Sequence, residues 1–220
     1  MNIARAIDHT LLKADATMAE IRRLCEEAME YGFFSVCVNS SRAALAAEIL
    51  NGSGVAVAAV TGFPLGAMSS AAKAFETERA VADGATEIDT VLSIGALKDG
   101  NTLYVVEDLR GVAQAAGTAR VKVIFETCLL TDEQKIKACQ LSLEAGAAFV
   151  KTSTGFSTGG ATLDDVLLMV KTVDGRCEVK ASGGVRDLDS AKAMLAAGAT
   201  RLGTSNGIKI VTGEKATGGY

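Results

Sequence analysis

Short apolar runs recur along this chain, separated by longer stretches in which apolar and polar residues alternate with a helical period. Residues 6–9, 33–38, 55–61, 87–92, 122–126, 148–152, 178–181 and 201–203 read as strands. Helical periodicity predicts helices over 18–31, 41–50, 69–83, 101–116, 131–145, 163–172 and 188–197, with a short closing segment at 205–211. Thr17, Thr131 and Asp187 stand where N-caps belong, and Gly32, Gly84, Gly117, Gly146 and Gly198 stand where helices stop. Strand and helix alternating in this way produce a parallel sheet through crossover connections. With one proline and no linker, the pattern predicts an α/β fold, a (β/α)8 TIM barrel forming a single domain over residues 1–220. An open flavodoxin-like or Rossmann sheet is the competing architecture, but the dinucleotide glycine fingerprint is missing from the early part of the chain.

Composition narrows the function classes. No stretch approaches the roughly 20 apolar residues of a membrane span. The first residues lack a signal or transit pattern, so a cytoplasmic protein is expected. A net charge of -4 with scattered lysines and arginines gives nucleic-acid binding no electrostatic support. The five cysteines, Cys25, Cys37, Cys128, Cys139 and Cys177, form no close metal or redox pair, and reduced thiols are expected. His9 is the only histidine, which makes a His-rich metal site hard to assemble; no metal and no cofactor are expected, and His9 itself reads as a packed, hydrogen-bonding residue.

Candidate chemistry concentrates at two lysines. Lys151 and Lys180 each lie near the carboxyl end of an apolar run, ahead of a glycine turn. Alternation puts Glu87 and Asp89 on one strand face, Phe149 and Lys151 on one, and Glu178 and Lys180 on another, with Ile88, Val150 and Val179 opposite them for packing against helices. Asp89, Lys151 and Lys180 then point inward near the rim where barrel enzymes build their sites, and Glu87, Lys122 and Glu178 are expected to pair in a layer below. A buried amine beside a second ammonium is pushed toward its neutral, nucleophilic form, and two clustered lysines are expected to act on each other in this way. Such an amine condenses with a carbonyl to an iminium, with Asp89 shuttling protons. Structural or anion-clamping lysines are the alternative. The turns 182–186 and 203–207, together with Gly155, suit a phosphate held by backbone N–H groups.

Seven segments taken in order, IDHTLL (7–12), VCVN (36–39), VTGFPLG (60–66), EIDTV (87–91), FVKTSTGF (149–156), VKASGGVR (179–186) and GTS (203–205), resemble the deoxyribose-phosphate aldolases of the bacterial short form over nearly the whole chain. The resemblance implies a metal-independent class I aldolase that reversibly splits 2-deoxy-D-ribose 5-phosphate into D-glyceraldehyde 3-phosphate and acetaldehyde, in deoxyribonucleoside catabolism. It implies catalytic roles for Lys151 as Schiff-base lysine, Lys180 as its perturbing partner and Asp89 as acid/base carboxylate. Asp8, Thr10 and Cys37 match substrate-binding positions, and Gly155, Gly183, Gly184, Gly203 and Ser205 match phosphate contacts. Phe156 stands where some relatives carry a lysine, removing one charge partner for the phosphate. Tyr220 matches a terminal tyrosine that reaches into the site in some relatives; the other reading is a frayed tail after Gly218 and Gly219. A homodimer with small phosphorylated sugar or aldehyde substrates is expected, without nucleic acid or membrane. Two other functions stay open: a phosphosugar isomerase or lyase using carboxylates, and a phosphosugar-binding protein that needs only the glycine loops.

Overall fold

A computed structural model describes residues 2–213. Eight parallel strands pair in sequence order and close on themselves: β1 (Ile7–Leu11), β2 (Ser35–Asn39), β3 (Ala56–Thr61), β4 (Glu87–Val91), β5 (Arg120–Ile124), β6 (Phe149–Lys151), β7 (Glu178–Ser182) and β8 (Arg201–Thr204). Around them run α1 (Met18–Glu30), α2 (Ala43–Leu50), α3 (Ser70–Ala82), α4 (Ile94–Lys98), α5 (Thr102–Ala116), α6 (Asp132–Glu144), α7 (Leu163–Val173), α8 (Leu188–Ala196) and α9 (Gly207–Thr212). This is the expected TIM barrel. No helix among the described residues is long and apolar enough to cross a membrane.

Local chemistry sets the helix starts. Thr17, Thr131 and Asp187 each form a capping box, accepting from the third residue of the helix while that residue's side chain reaches back to the cap. Among the departures from expectation, two have a plain cause. β5 ends at Ile124, two residues early, because Glu126 turns into the left-handed region with φ 55° and ψ 64°. The five-residue α4 was not predicted, since so short a helix carries no readable period.

Most of the hydrophobic core lies outside the barrel wall. Ile7, Val36, Val57, Ile88, Val121, Val150, Val179 and Leu202 leave the strands outward and pack with Leu24, Leu109, Met169 and Ala191 of the helices. Burying one such aliphatic side chain contributes about 1.5–3 kcal/mol. The barrel interior is divided. Its β2 and β3 side is apolar, with Cys37, Ala58 and Val60 packed with Leu12 and Phe63. The opposite side carries Asp8, Glu87, Asp89, Lys122, Lys151, Lys180 and Arg201, all buried.

The lower ionic layer differs from expectation in one member. Lys122 Nζ lies 2.7 Å from Glu87 Oε2, as alternation suggests. Glu178 does not join them, because it is the first residue of β7 and pairs there with Arg120 and with Thr200 Oγ1 at 2.7 Å. Its place is taken by Arg201, whose Nη1 lies 2.9 Å from Glu87 Oε2 and 2.8 Å from Asp8 Oδ1.

Candidate active site

Strand register brings the reactive groups to one level. Lys151 and Lys180 are direct partners across β6 and β7, and Asp89 is paired with Lys122 across β4 and β5. Asp89 Oδ2 accepts hydrogen bonds from Lys151 Nζ and from Lys180 Nζ, both at 2.7 Å, while Asp89 Oδ1 accepts from Lys122 at 2.7 Å. Lys180 also donates to Asp8, which accepts from Ser35 Oγ at 2.7 Å.

Three carboxylates, Asp8, Glu87 and Asp89, therefore face four cationic side chains, Lys122, Lys151, Lys180 and Arg201. Taking each ion out of water costs several kcal/mol even after relaxation, and only matched partners offset it. The cluster is balanced when one of the four is neutral. Of the lysine pair, Lys151 has the weaker hold on its proton. Burial lowers its pKa below the ordinary lysine value, Asp89 opposes that fall, and the Lys180 ammonium adds to it. Lys180 behaves oppositely. Burial works against its charge, but Asp8 and Asp89 outweigh burial and raise its pKa well above the ordinary value. The expectation that the two lysines depress each other thus holds for Lys151 and fails for Lys180, because only Lys180 reaches a second carboxylate. Asp89 and Asp8 are also fully buried, which disfavours their charge, yet the surrounding cations hold both well below the usual carboxylate range.

Above this cluster opens a cleft of about 840 Å³. Lys151 reaches its floor, whereas Lys180, Asp89, Asp8 and Cys37 lie beneath the lining. Thr10, Gly155, Gly183, Gly184, Gly203 and Ser205 line the cleft. The amides of Gly155, Gly183, Gly184 and Ser205 donate to no partner among the described residues. Gly183 and Gly184 both take positive φ, at 77° and 83°, which turns successive N–H groups toward one side. Gly160 completes this cradle, since a Cβ there would fall 2.3 Å from the Gly183 carbonyl oxygen.

Thr10 Oγ1 donates to the Asp8 carbonyl at 2.9 Å, which ties it to its own strand. Cys37 sits in the apolar patch, and burial raises its thiol pKa, so it persists as a neutral SH beside the lysines. His9 points outward and meets Glu27 at 2.7 Å. Phe156, at the cleft rim, packs edge-on to Phe63 with ring centroids 5.2 Å apart. Tyr220 lies outside the described residues. Among the described residues, no group of three His, Cys, Asp or Glu side chains is placed to hold a metal ion.

Sequence reasoning missed Lys122 and Arg201 as members of the central cluster. Alternation marked Lys122 as inward, but its level relative to Asp89 depends on the stagger between β4 and β5. Arg201 was legible only as a strand start. Its guanidinium is stacked 3.4 Å from the Phe34 ring centroid, which lets a large cation sit inside the barrel.

The chain matches the family model described as DeoC/LacD family aldolase over residues 2–213. It is 61% identical over 220 residues to the deoxyribose-phosphate aldolase of Geobacillus sp. (strain WCH70), covering 100% of this chain and 99% of that one. Among solved structures it superposes on the aldolase QR15 with TM-score 0.92 at 42% identity, covering 96% of this chain and 94% of that one. The tetrameric deoxyribose phosphate aldolase from Aeropyrum pernix gives TM-score 0.89 at 33% identity, covering 96% of this chain and 89% of that one. The described barrel, with its buried lysine pair, is that of a member of the DeoC/LacD aldolase family, to which this chain belongs.

Proposed function

We propose that this protein is a class I aldolase that reversibly cleaves 2-deoxy-D-ribose 5-phosphate to D-glyceraldehyde 3-phosphate and acetaldehyde. One observation carries the reading: a single carboxylate oxygen, Asp89 Oδ2, lies 2.7 Å from both Lys151 Nζ and Lys180 Nζ, and of these two lysines Lys151 alone lines the cleft above.

The neutral Lys151 amine adds to the aldehyde carbon of the open-chain sugar, and loss of water leaves an iminium. That cation draws electrons from the bond between the second and third carbons. The bond breaks, the hydroxyl on the third carbon gives up its proton, and D-glyceraldehyde 3-phosphate leaves. The remaining enamine takes up a proton on carbon, and hydrolysis frees acetaldehyde and restores the amine. Lys180, kept charged by Asp8 and Asp89, supplies the positive field that disfavours a proton on Lys151. Asp89 is the acceptor common to both amines and serves proton transfer between them and the cleft. The free amides of Gly155, Gly183, Gly184 and Ser205 suit the phosphate, and Thr10 and Cys37 border the aldehyde end. Homodimerisation and a cytoplasmic location belong to the same reading, and sedimentation velocity tests the former.

Borohydride reduction in the presence of acetaldehyde, read by peptide mass spectrometry, should place a stable adduct on Lys151. Lys151→Ala should abolish adduct and cleavage while leaving the circular dichroism spectrum intact. Turnover without an adduct would instead indicate a carboxylate-driven isomerase or lyase, and phosphosugar binding alone a non-catalytic binding protein.

A further inference from the structure

Glu126 is an anomaly that the proposed reaction does not use. It is a non-glycine residue with φ 55° and ψ 64°, a conformation that L side chains seldom adopt and that persists only where surroundings enforce it. Its carboxylate is 3% exposed and makes no ion pair among the described residues. Both oxygens are spent on one residue instead. Oε1 accepts from the Thr154 amide at 3.3 Å, and Oε2 accepts from the Thr154 hydroxyl.

Thr154 stands between the candidate nucleophile and the phosphate-facing turn. Its Oγ1, having donated to Glu126, accepts from the Phe156 amide at 3.0 Å, closing a turn around Gly155. Gly155 takes φ 84° there, and its own amide remains free at the cleft. Backbone bonds hold the two segments side by side: Phe125 N–H donates to the Lys151 carbonyl at 2.9 Å, and Thr127 N–H donates to the Thr152 carbonyl at 3.0 Å. The left-handed turn at Glu126 is what swings its carboxylate from the end of β5 across to Thr154.

We infer that Glu126 is a positioning residue, which acts through Thr154 to fix the Gly155 turn and so sets selectivity for a phosphorylated over an unphosphorylated sugar. This rests on the aldolase reading above. The carboxylate does not touch substrate; it immobilises the donor that does. A free loop would have to be ordered at each binding event, and pre-ordering removes that cost for the phosphate alone.

The test compares Glu126→Ala, Glu126→Gln, Thr154→Val and Thr154→Ser with the parent enzyme on 2-deoxyribose 5-phosphate and on 2-deoxyribose. The readout is the ratio of kcat/KM between the two sugars. Glu126→Ala and Thr154→Val should lower that ratio about tenfold, mainly through KM for the phosphorylated sugar. Glu126→Gln and Thr154→Ser, which keep an acceptor and a hydroxyl, should restore most of it. An unchanged ratio, with both sugars affected alike, would reduce Glu126 to a merely structural role and overturn the inference. Thr154→Val keeps the test open should Glu126→Ala not fold. Borohydride trapping on Lys151 of the parent enzyme separates the two readings: its failure removes the aldolase assignment, whereas a normal adduct with an unchanged ratio removes only the role of Glu126.

Discussion

Replacing Lys180 with methionine removes one positive charge from the central cluster and little volume. In the parent protein burial and the Lys180 ammonium push Lys151 toward its neutral form, which would relieve the surplus cation. With Lys180 gone, Asp8, Glu87 and Asp89 face only Lys122, Lys151 and Arg201, and the count closes only when Lys151 is protonated. The size of the effect follows from the shared oxygen. Two unit charges about 5 Å apart, near the most that an oxygen 2.7 Å from each nitrogen allows, repel by about 3 kcal/mol at an effective dielectric constant of about 20. At 1.36 kcal/mol per decade, that is about a hundredfold in the fraction of free amine at neutral pH.

The assay is the initial rate of acetaldehyde trapping on Lys151 by cyanoborohydride between about pH 6 and 9.5, with unfolding checked by circular dichroism. Lys180→Met should trap about a hundredfold more slowly at pH 7 and regain rate steadily as pH rises, because the amine is still present and only its proton has become harder to remove. Two results would refute the reasoning. A neutral-pH rate within a few fold of the parent would mean that Lys180 does not govern the charge of Lys151. A folded variant whose rate stayed low and flat at alkaline pH would mean that Lys180 acts by geometry or direct proton transfer, not through the field argued here.

Other consequences can be checked separately. Lys73 is fully buried between α3 and α5, donating to Asp108 at 2.5 Å and to the Val91 carbonyl at 2.9 Å; Lys73→Met should cost about 3–5 kcal/mol in urea denaturation, and Lys73→Met with Asp108→Leu should recover most of it. The depressed carboxyls of Asp8 and Asp89 add stability that is fully present above the unfolded value of about 3.9 and is lost as pH falls toward their lower folded values. Urea midpoints should therefore drop from about pH 5 downward, with a shallower slope in Asp8→Asn; equal slopes would contradict the linkage. A Cβ on Gly203 would lie 2.9 Å from Ser182 Cβ and 3.1 Å from Lys180 Cε, so Gly203→Ala should lose about 1–3 kcal/mol of stability by overpacking, read in the same denaturation assay.

Strand order and facing were legible in the sequence because they rest on short-range regularities. Thr17, Thr131 and Asp187 marked helix starts by their own side chains, and the period of two along 87–89 and 178–180 placed Asp89 and Lys180 inward. The vertical match between strands was not legible. Glu178 and Lys122 share the inward face, yet Glu178 pairs with Arg120 because each strand of a closed barrel is staggered against its neighbour. Glu126 escaped for a different reason: a left-handed glutamate has no compositional signature, and the apolar run Val123, Ile124 and Phe125 carries the expected strand up to it. The glycine loops were readable as cleft-forming turns, but Gly203 has a second duty visible only in three dimensions.

That second duty explains why two lysines on adjacent strands, paired directly in register, have pKa values shifted in opposite directions. Lys151 on β6 is flanked by β5 and β7, and both neighbours present further lysines, Lys122 and Lys180. Lys180 on β7 is flanked on its other side by β8, where Gly203 presents no side chain. Gly203 is in turn the register partner of Asp8 on β1. The missing Cβ leaves a passage through which Lys180 crosses β8 to Asp8, gaining the second carboxylate that Lys151 never meets. The asymmetry between the two lysines is thus set on β8, two strands away from Lys151. A side chain at Gly203 that blocked the passage would not only crowd Ser182; it would return Lys180 to the same single-carboxylate setting as Lys151 and erase the asymmetry on which a free amine depends.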